Sequence, residues 1–175
     1  MTATPTPQTE TRSRAMVTTK NDMPRENREQ LVELINARLA DLLDLATQMK
    51  QAHWNVKGPS FQGLHELFDQ VTHDVRDAVD LVAERGVQLG GIVRGTARDA
   101  AQHSRLPEYP HDIVTGQAHA DAASTALATA GRLVREAIHQ SEDLGDADTA
   151  DIFTEVSRTL DKHTWFVEAH TQADE

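Results

Sequence analysis

The sequence contains no cysteine, which excludes disulfide bonds, thiolate metal sites, iron–sulfur clusters and cysteine nucleophiles. Aromatic residues make up only 4% of the 175 residues, and lysine occurs at four positions. No apolar run approaches the roughly 18 residues of a membrane-spanning helix. The N-terminal sequence MTATPTPQTETRSRAM lacks the apolar core of a secretory signal. These absences predict a soluble, cytoplasmic protein with no membrane partner.

Acidic residues outnumber basic ones, with 28 Asp plus Glu against 17 Lys plus Arg, and the net charge is −11 with neutral histidine. Such a body repels nucleic acids and anionic membranes. Nine histidines beside these carboxylates form a ligand supply that suits hard or borderline metal ions. An acidic surface also serves solubility alone, so the charge by itself does not establish a metal site.

Apolar residues recur at three- and four-residue steps in four long segments, which predicts four helices. The predicted bounds are 25–56, 61–89, 116–143 and a last helix that begins after Asp146 or Asp148. Ser60 can cap the second helix, and either aspartate can cap the fourth. The proline-containing stretch 92–115 predicts a long connection with one short helix over residues 96–104. Short connections and one long one predict an all-α four-helix bundle.

Residues 1–24 differ in composition from the rest of the chain. They hold three of the six prolines, many threonines and almost no large apolar side chains. This composition is typical of a disordered segment. The sequence therefore predicts a disordered N-terminal tail over residues 1–24 and a folded domain over residues 25–175, and removal of the tail is expected to leave that domain intact.

The second helix carries two pairs of potential metal ligands. His65 and Asp69 are four residues apart, as are Asp80 and Glu84, so each pair lies on one helical face and can share a cation. Such pairs are also frequent on solvated helix surfaces. The centres of the two pairs are roughly 22 Å apart along the helix and differ by roughly 60° around it, so one chain cannot use both for one metal.

A site that uses both pairs needs a second copy of this helix, antiparallel to the first and related to it by a two-fold axis. The axis would place His65 and Asp69 of one chain beside Asp80 and Glu84 of the other, once at each end of the contact. His53, near the end of the first helix, can fold back toward the start of the second and complete the set. Two histidines and three carboxylates suit iron and leave positions open for an oxidant.

At these residues the sequence resembles the Dps family, the mini-ferritins named as DNA-binding proteins from starved cells. The resemblance covers about residues 27–168. Its motifs are H53-W-N-V-K-G58, F61, H65-E-L-F-D69, D80-L-V-A-E-R-G-V-Q-L-G-G91, Y109-P-H-D-I113, D148-T-A-D-I152 and L160-D-K-H-T-W-F-V-E168. It implies a ferritin-like four-helix bundle, with a short helix between helices 2 and 3, and a homo-oligomeric hollow shell of twelve subunits.

The resemblance also implies an activity and its residues. Family ferroxidase sites between two-fold-related subunits oxidise Fe²⁺, usually with hydrogen peroxide rather than O₂, and the ferric product is stored as mineral, which protects against oxidative damage. The implied ligands are His53, His65 and Asp69 from one subunit and Asp80 and Glu84 from its partner. Iron is the only cofactor implied, with no organic group. Trp54 has either a packing role or a redox role.

Three aspartates at the start of the fourth helix have two interpretations. Asp146, Asp148 and Asp151 can cap the helix and complement its dipole. Family members also place acidic residues of this region around iron-entry pores at three-fold axes, and Asp151 is the best single candidate for that role. The two roles are compatible.

Two other functions remain as alternatives. A nucleoid-binding structural protein would contact DNA through the tail, but its basic residues Arg12, Arg14 and Lys20 are few, so binding is expected to be weak at physiological salt. An ordinary ferritin needs a Glu-x-x-His motif from each of two helices. Only Glu136 and His139 form a credible one, which disfavours that class.

Overall fold

A computed structural model describes residues 16–172, and these residues form five α-helices. The helices are α1 (Arg25–Asn55), α2 (Phe61–Gln88), α3 (Ala97–His103), α4 (Gly116–Asp143) and α5 (Ala147–Glu168). Within these residues no strand occurs, and one isolated backbone bridge joins Lys57 to Thr115. The predicted all-α fold with a short helix in the long connection is confirmed, and the helix bounds agree with the prediction to within one residue.

The four long helices form two antiparallel hairpins that face each other. Helix α1 packs most extensively against α2, and α4 against α5, while α1 also contacts α4 and α2 contacts α5. The connection between the hairpins carries α3 and lies against α1. Small side chains allow α4 to approach its neighbours closely, because its buried face includes Ala120, Ala123, Ala126, Ala130 and Ala137. Within the described part of the chain, no helix has the length and hydropathy for crossing a bilayer.

Polar side chains fix three of the helix starts. Asp146 accepts a hydrogen bond from the backbone N–H of Thr149, which confirms it as the cap of α5. Thr96 and Thr115 cap α3 and α4 in the same way. Ser60 stands at the N-cap position directly before α2, but its side chain makes no capping bond, so the prediction that it caps this helix is wrong.

Residues 16–24 lack helical structure, yet they lie against the end of the bundle. The backbone N–H of Val17 donates to the carbonyl of Gly90 over 2.9 Å. Arg28 Nε donates to the carbonyl of Met23, and the Met23 side chain is partly buried against the core. These residues therefore have contacts that a disordered tail lacks, which corrects that part of the prediction, whereas residues 1–15 lie outside the described residues.

Gly90 is required for this contact. Its φ of +85° lies in the left-handed region, and a Cβ at this position would come within 2.8 Å of the Val17 carbonyl oxygen. A side chain would therefore push residues 16–24 away from the turn that ends α2.

Deletion of the N-terminal residues is expected to show where the folded domain begins. Removal of residues 1–15 should leave the unfolding temperature unchanged. Removal of residues 1–24 should lower it by several degrees, because the Val17 and Arg28 hydrogen bonds and the burial of Met23 are lost together. Thermal unfolding followed by circular dichroism measures both. Equal unfolding temperatures for the two truncated proteins would contradict this assignment.

Candidate metal centre

Two of the predicted ligands meet across the turn between α1 and α2. His53 lies in the last turn of α1, and His65 lies near the start of α2. Their imidazole rings stack with centroids 3.7 Å apart and an interplanar angle of 21°. The antiparallel packing of the two helices therefore brings both rings to one place on the surface of the hairpin.

Each histidine is held by the backbone of the other. His53 Nδ1 donates to the carbonyl of His65 over 2.8 Å, and His65 Nδ1 donates to the carbonyl of His53 over 2.8 Å. Because a carbonyl oxygen only accepts, both Nδ1 atoms carry the proton and both Nε2 atoms keep a lone pair. Within residues 16–172 neither Nε2 has a hydrogen-bond partner. Metal-binding histidines are oriented in this way, with one ring nitrogen anchored and the other free.

Asp69 lies one turn beyond His65 on α2, and its side chain is largely exposed. It forms an ion pair with Lys50, one turn before His53 on α1. The hydrogen bond from Lys50 lowers the pKa of Asp69 and, together with the positive charge of Lys50, outweighs desolvation, which would raise it. The carboxylate is therefore ionised and paired with the Lys50 ammonium. The sequence reasoning missed Lys50, although its spacing to His53 could have placed it opposite Asp69 in an antiparallel hairpin.

Asp80 and Glu84 lie on the same helix, farther along. Both side chains are exposed, and within the described part of the chain neither forms a hydrogen bond or an ion pair. Helix α2 is continuous from Phe61 to Gln88, so the separation of roughly 22 Å from the first pair stands. Among residues 16–172, no three His, Cys, Asp or Glu side chains come together closely enough to hold a metal ion. The described part of one chain therefore does not assemble the predicted ligands into one metal site.

Exposed aromatic rings flank the histidine pair. Trp54 follows His53 directly and is 68% exposed, and the exposed Phe61 ring lies 5.1 Å from that of His65. Aromatic rings at the surface beside an incomplete ligand set are typical of a surface that another chain covers.

The three aspartates at the start of α5 differ in their surroundings. Asp146 is buried, and both of its carboxylate oxygens accept from Arg85 Nη2, over 2.7 and 2.9 Å. Burial alone would raise its pKa, but hydrogen bonds from Thr149 and Arg85 outweigh burial and lower it. Asp146 therefore has the capping role and lacks a free oxygen face for a pore. Asp148 and Asp151 are exposed and remain candidates for that role.

The Glu-x-x-His pair on α4 does not face the bundle core. Glu136 and His139 are both exposed; Glu136 pairs with Arg132, and His139 lies near Glu142. Their exposure agrees with the prediction that they do not form half of an intrachain di-iron centre.

Two other histidines are buried with partners of their own. His119 Nδ1 lies 2.6 Å from the hydroxyl of Tyr109, which ties the long connection to α4. Burial lowers the pKa of His119 and raises that of Tyr109. His163 on α5 lies 2.8 Å from a carboxylate oxygen of Asp74 on α2. Both pairs hold elements of the bundle together.

Comparison with known proteins places these features in a family. The chain matches the ferritin-like domain family over residues 32–175. It is 43% identical over 154 residues to a DNA protection during starvation protein of Agrobacterium fabrum, covering 88% of this chain and 95% of that protein.

Solved structures agree. Dps of Mycobacterium smegmatis superposes with a TM-score of 0.83 at 31% identity, covering 88% of this chain and 94% of that one. DpsC of Streptomyces coelicolor superposes with a TM-score of 0.84 at 27% identity, covering 89% and 91%. A ferritin-like match across most of the chain, and a close relative aligned along nearly its whole length, show that this chain belongs to the Dps family of ferritin-like proteins.

Proposed function

We propose that this protein is a ferroxidase and an iron-storage mini-ferritin. The observation that carries the proposal is the reciprocal anchoring of His53 and His65, which leaves an unprotonated Nε2 on each of the two stacked rings. Asp69 adds an ionised carboxylate one turn away. Such a mixed set of imidazole and carboxylate ligands suits iron.

The second half of each site comes from another subunit. A two-fold contact between antiparallel α2 helices would bring Asp80 and Glu84 of the partner subunit to the histidine pair, and would form two equal sites. Carboxylates are hard and anionic, so they stabilise Fe³⁺ more than Fe²⁺ and favour loss of an electron. Two ferrous ions each give one electron, and one hydrogen peroxide takes both with two protons and leaves as two waters. Pairwise reduction avoids release of hydroxyl radical.

The proposed assembly is a hollow homo-oligomer of twelve subunits in the cytoplasm. The net charge of −11 on each subunit favours attraction of Fe²⁺ and its retention as ferric mineral. Asp148 and Asp151, exposed at the start of α5, are the proposed pore residues. The name of the Agrobacterium relative refers to DNA protection. Removal of Fe²⁺ and hydrogen peroxide would protect DNA without tight contact between the protein and DNA. A gel shift at physiological salt distinguishes this role from that of a nucleoid-binding protein.

Replacement of both histidines by glutamine is expected to abolish most iron oxidation. His53→Gln and His65→Gln together remove both proposed Nε2 ligands, whereas His73→Ala removes an exposed histidine of α2 and should leave the rate unchanged. The absorbance of the ferric product with peroxide or O₂ measures the rate, and light scattering measures particle mass. Undiminished oxidation by an assembled double variant would refute the proposed site.

A further inference from the structure

Among residues 16–172, Lys50 is the only Lys or Arg side chain that forms an ion pair with a predicted ferroxidase ligand. Its ammonium contacts Oδ1 of Asp69, and only 24% of its side chain is exposed. Lys50 and His53 lie one turn apart on α1, as do Asp69 and His65 on α2. The Lys50–Asp69 pair is therefore the next contact along the hairpin after the stacked histidines.

An ammonium at this place opposes a metal ion. Protonated lysine has three donors and no lone pair, so it cannot become a ligand. A divalent cation bound to Asp69 would lie within a few ångströms of that positive charge and be repelled. Metal binding must therefore weaken or break the Lys50–Asp69 contact. The flexible four-carbon stem of lysine lets the charge move away without a change in the backbone.

We propose that Lys50 is a displaceable counter-ion of Asp69 that sets the affinity of the half-site for divalent cations. This inference rests on the proposed function, because it takes Asp69 as a ligand. With no metal bound, Lys50 neutralises the carboxylate and keeps it in place between α1 and α2. When a cation arrives, Lys50 is displaced, and the lost ion pair weakens the binding of every divalent metal. The site thus holds its substrate loosely enough to be emptied between turnovers.

Cobalt(II) binding to the assembled protein tests this role without iron oxidation. Lys50→Met keeps the length of the side chain and removes the charge, so Co²⁺ should bind about three- to tenfold more tightly. Lys50→Arg keeps the charge, so its Co²⁺ affinity should lie within about twofold of that of the original protein. Lys162→Met removes the same charge from a lysine that instead lies over the Phe166 ring, and should change nothing. Isothermal titration calorimetry under equal salt measures all four proteins.

The outcomes separate the two proposals. Equal or weaker Co²⁺ binding by Lys50→Met, with clear binding by the original protein, would overturn the role of Lys50 and leave the metal site standing. Equal tightening in Lys162→Met would show a general effect of net charge and would also overturn it. No Co²⁺ binding by any of the assembled proteins would refute the metal site itself. Circular dichroism and light scattering confirm that each variant folds and assembles.

Discussion

Two inactive variants are expected to restore iron oxidation when their chains are mixed. One carries His65→Ala with Asp69→Ala, and the other carries Asp80→Ala with Glu84→Ala. Each alone should lose activity, because every shared site then lacks half of its ligands. In a mixed pair of subunits, the intact first half of one chain meets the intact second half of the other, and the remaining site combines both damaged halves.

Random pairing gives a quantitative expectation. Roughly half of the two-fold pairs are mixed and one of their two sites is complete, so about a quarter of all sites should recover. The chains are dissociated, mixed and reassembled, and ferric absorbance is compared with that of each variant reassembled alone. A differently tagged subunit of each kind proves mixing. Absence of recovery in mixed particles would rule out the shared site, since a site within one chain cannot be restored in this way.

Loss of the Asp146 carboxylate is expected to be strongly destabilising. Asp146→Ala removes the buried carboxylate that pairs with Arg85 over 2.7 Å, leaves that arginine only a 3.8 Å ionic contact with the exposed Asp148, and removes the cap of α5. Breaking a buried ion pair on one side costs about 3–5 kcal/mol. Asp148→Ala, two residues away with an 83% exposed side chain, should cost about 0.5 kcal/mol or less. Denaturant unfolding followed by circular dichroism compares them.

A double variant and the pH dependence of stability test whether the broken Arg85–Asp146 ion pair causes the loss of stability. Arg85→Met with Asp146→Asn removes both charges and keeps a capping oxygen, so much of the lost stability should return. The pKa of folded Asp146 is lowered, so its carboxylate contributes stability above the unfolded pKa of about 3.9 and loses it as the pH falls through the lower folded value. The difference in the free energy of unfolding between the original protein and Asp146→Ala should therefore become smaller as the pH falls into the acid range. If that difference in the free energy of unfolding does not change with pH, the stability lost in Asp146→Ala comes from packing and not from the carboxylate charge.

The sequence by itself determined the helices and the spacing of the two predicted ligand pairs of α2. Helix bounds follow from periodicity and from local stop signals such as Gly58 and Gly145, whose φ angles are positive in the structure. The pairing of His65 with Asp69, and of Asp80 with Glu84, depends on helical rise and rotation alone. These properties are local, so a single sequence suffices to predict them, and the structure leaves them unchanged.

The tertiary structure alone decided how the ligands are held. The bonds between His53 and His65 join residues 12 positions apart across a turn, and Lys50 reaches Asp69 over 19 positions. Arg85 donates a hydrogen bond to Asp146, 61 positions away along the chain. Asp146, a candidate pore residue in the sequence, is therefore a buried helix cap in the structure. Periodicity says which face a side chain occupies but not which side chain it meets. That choice depends on how α1 and α5 pack against α2, because hydrogen bonds and ion pairs act over only a few ångströms.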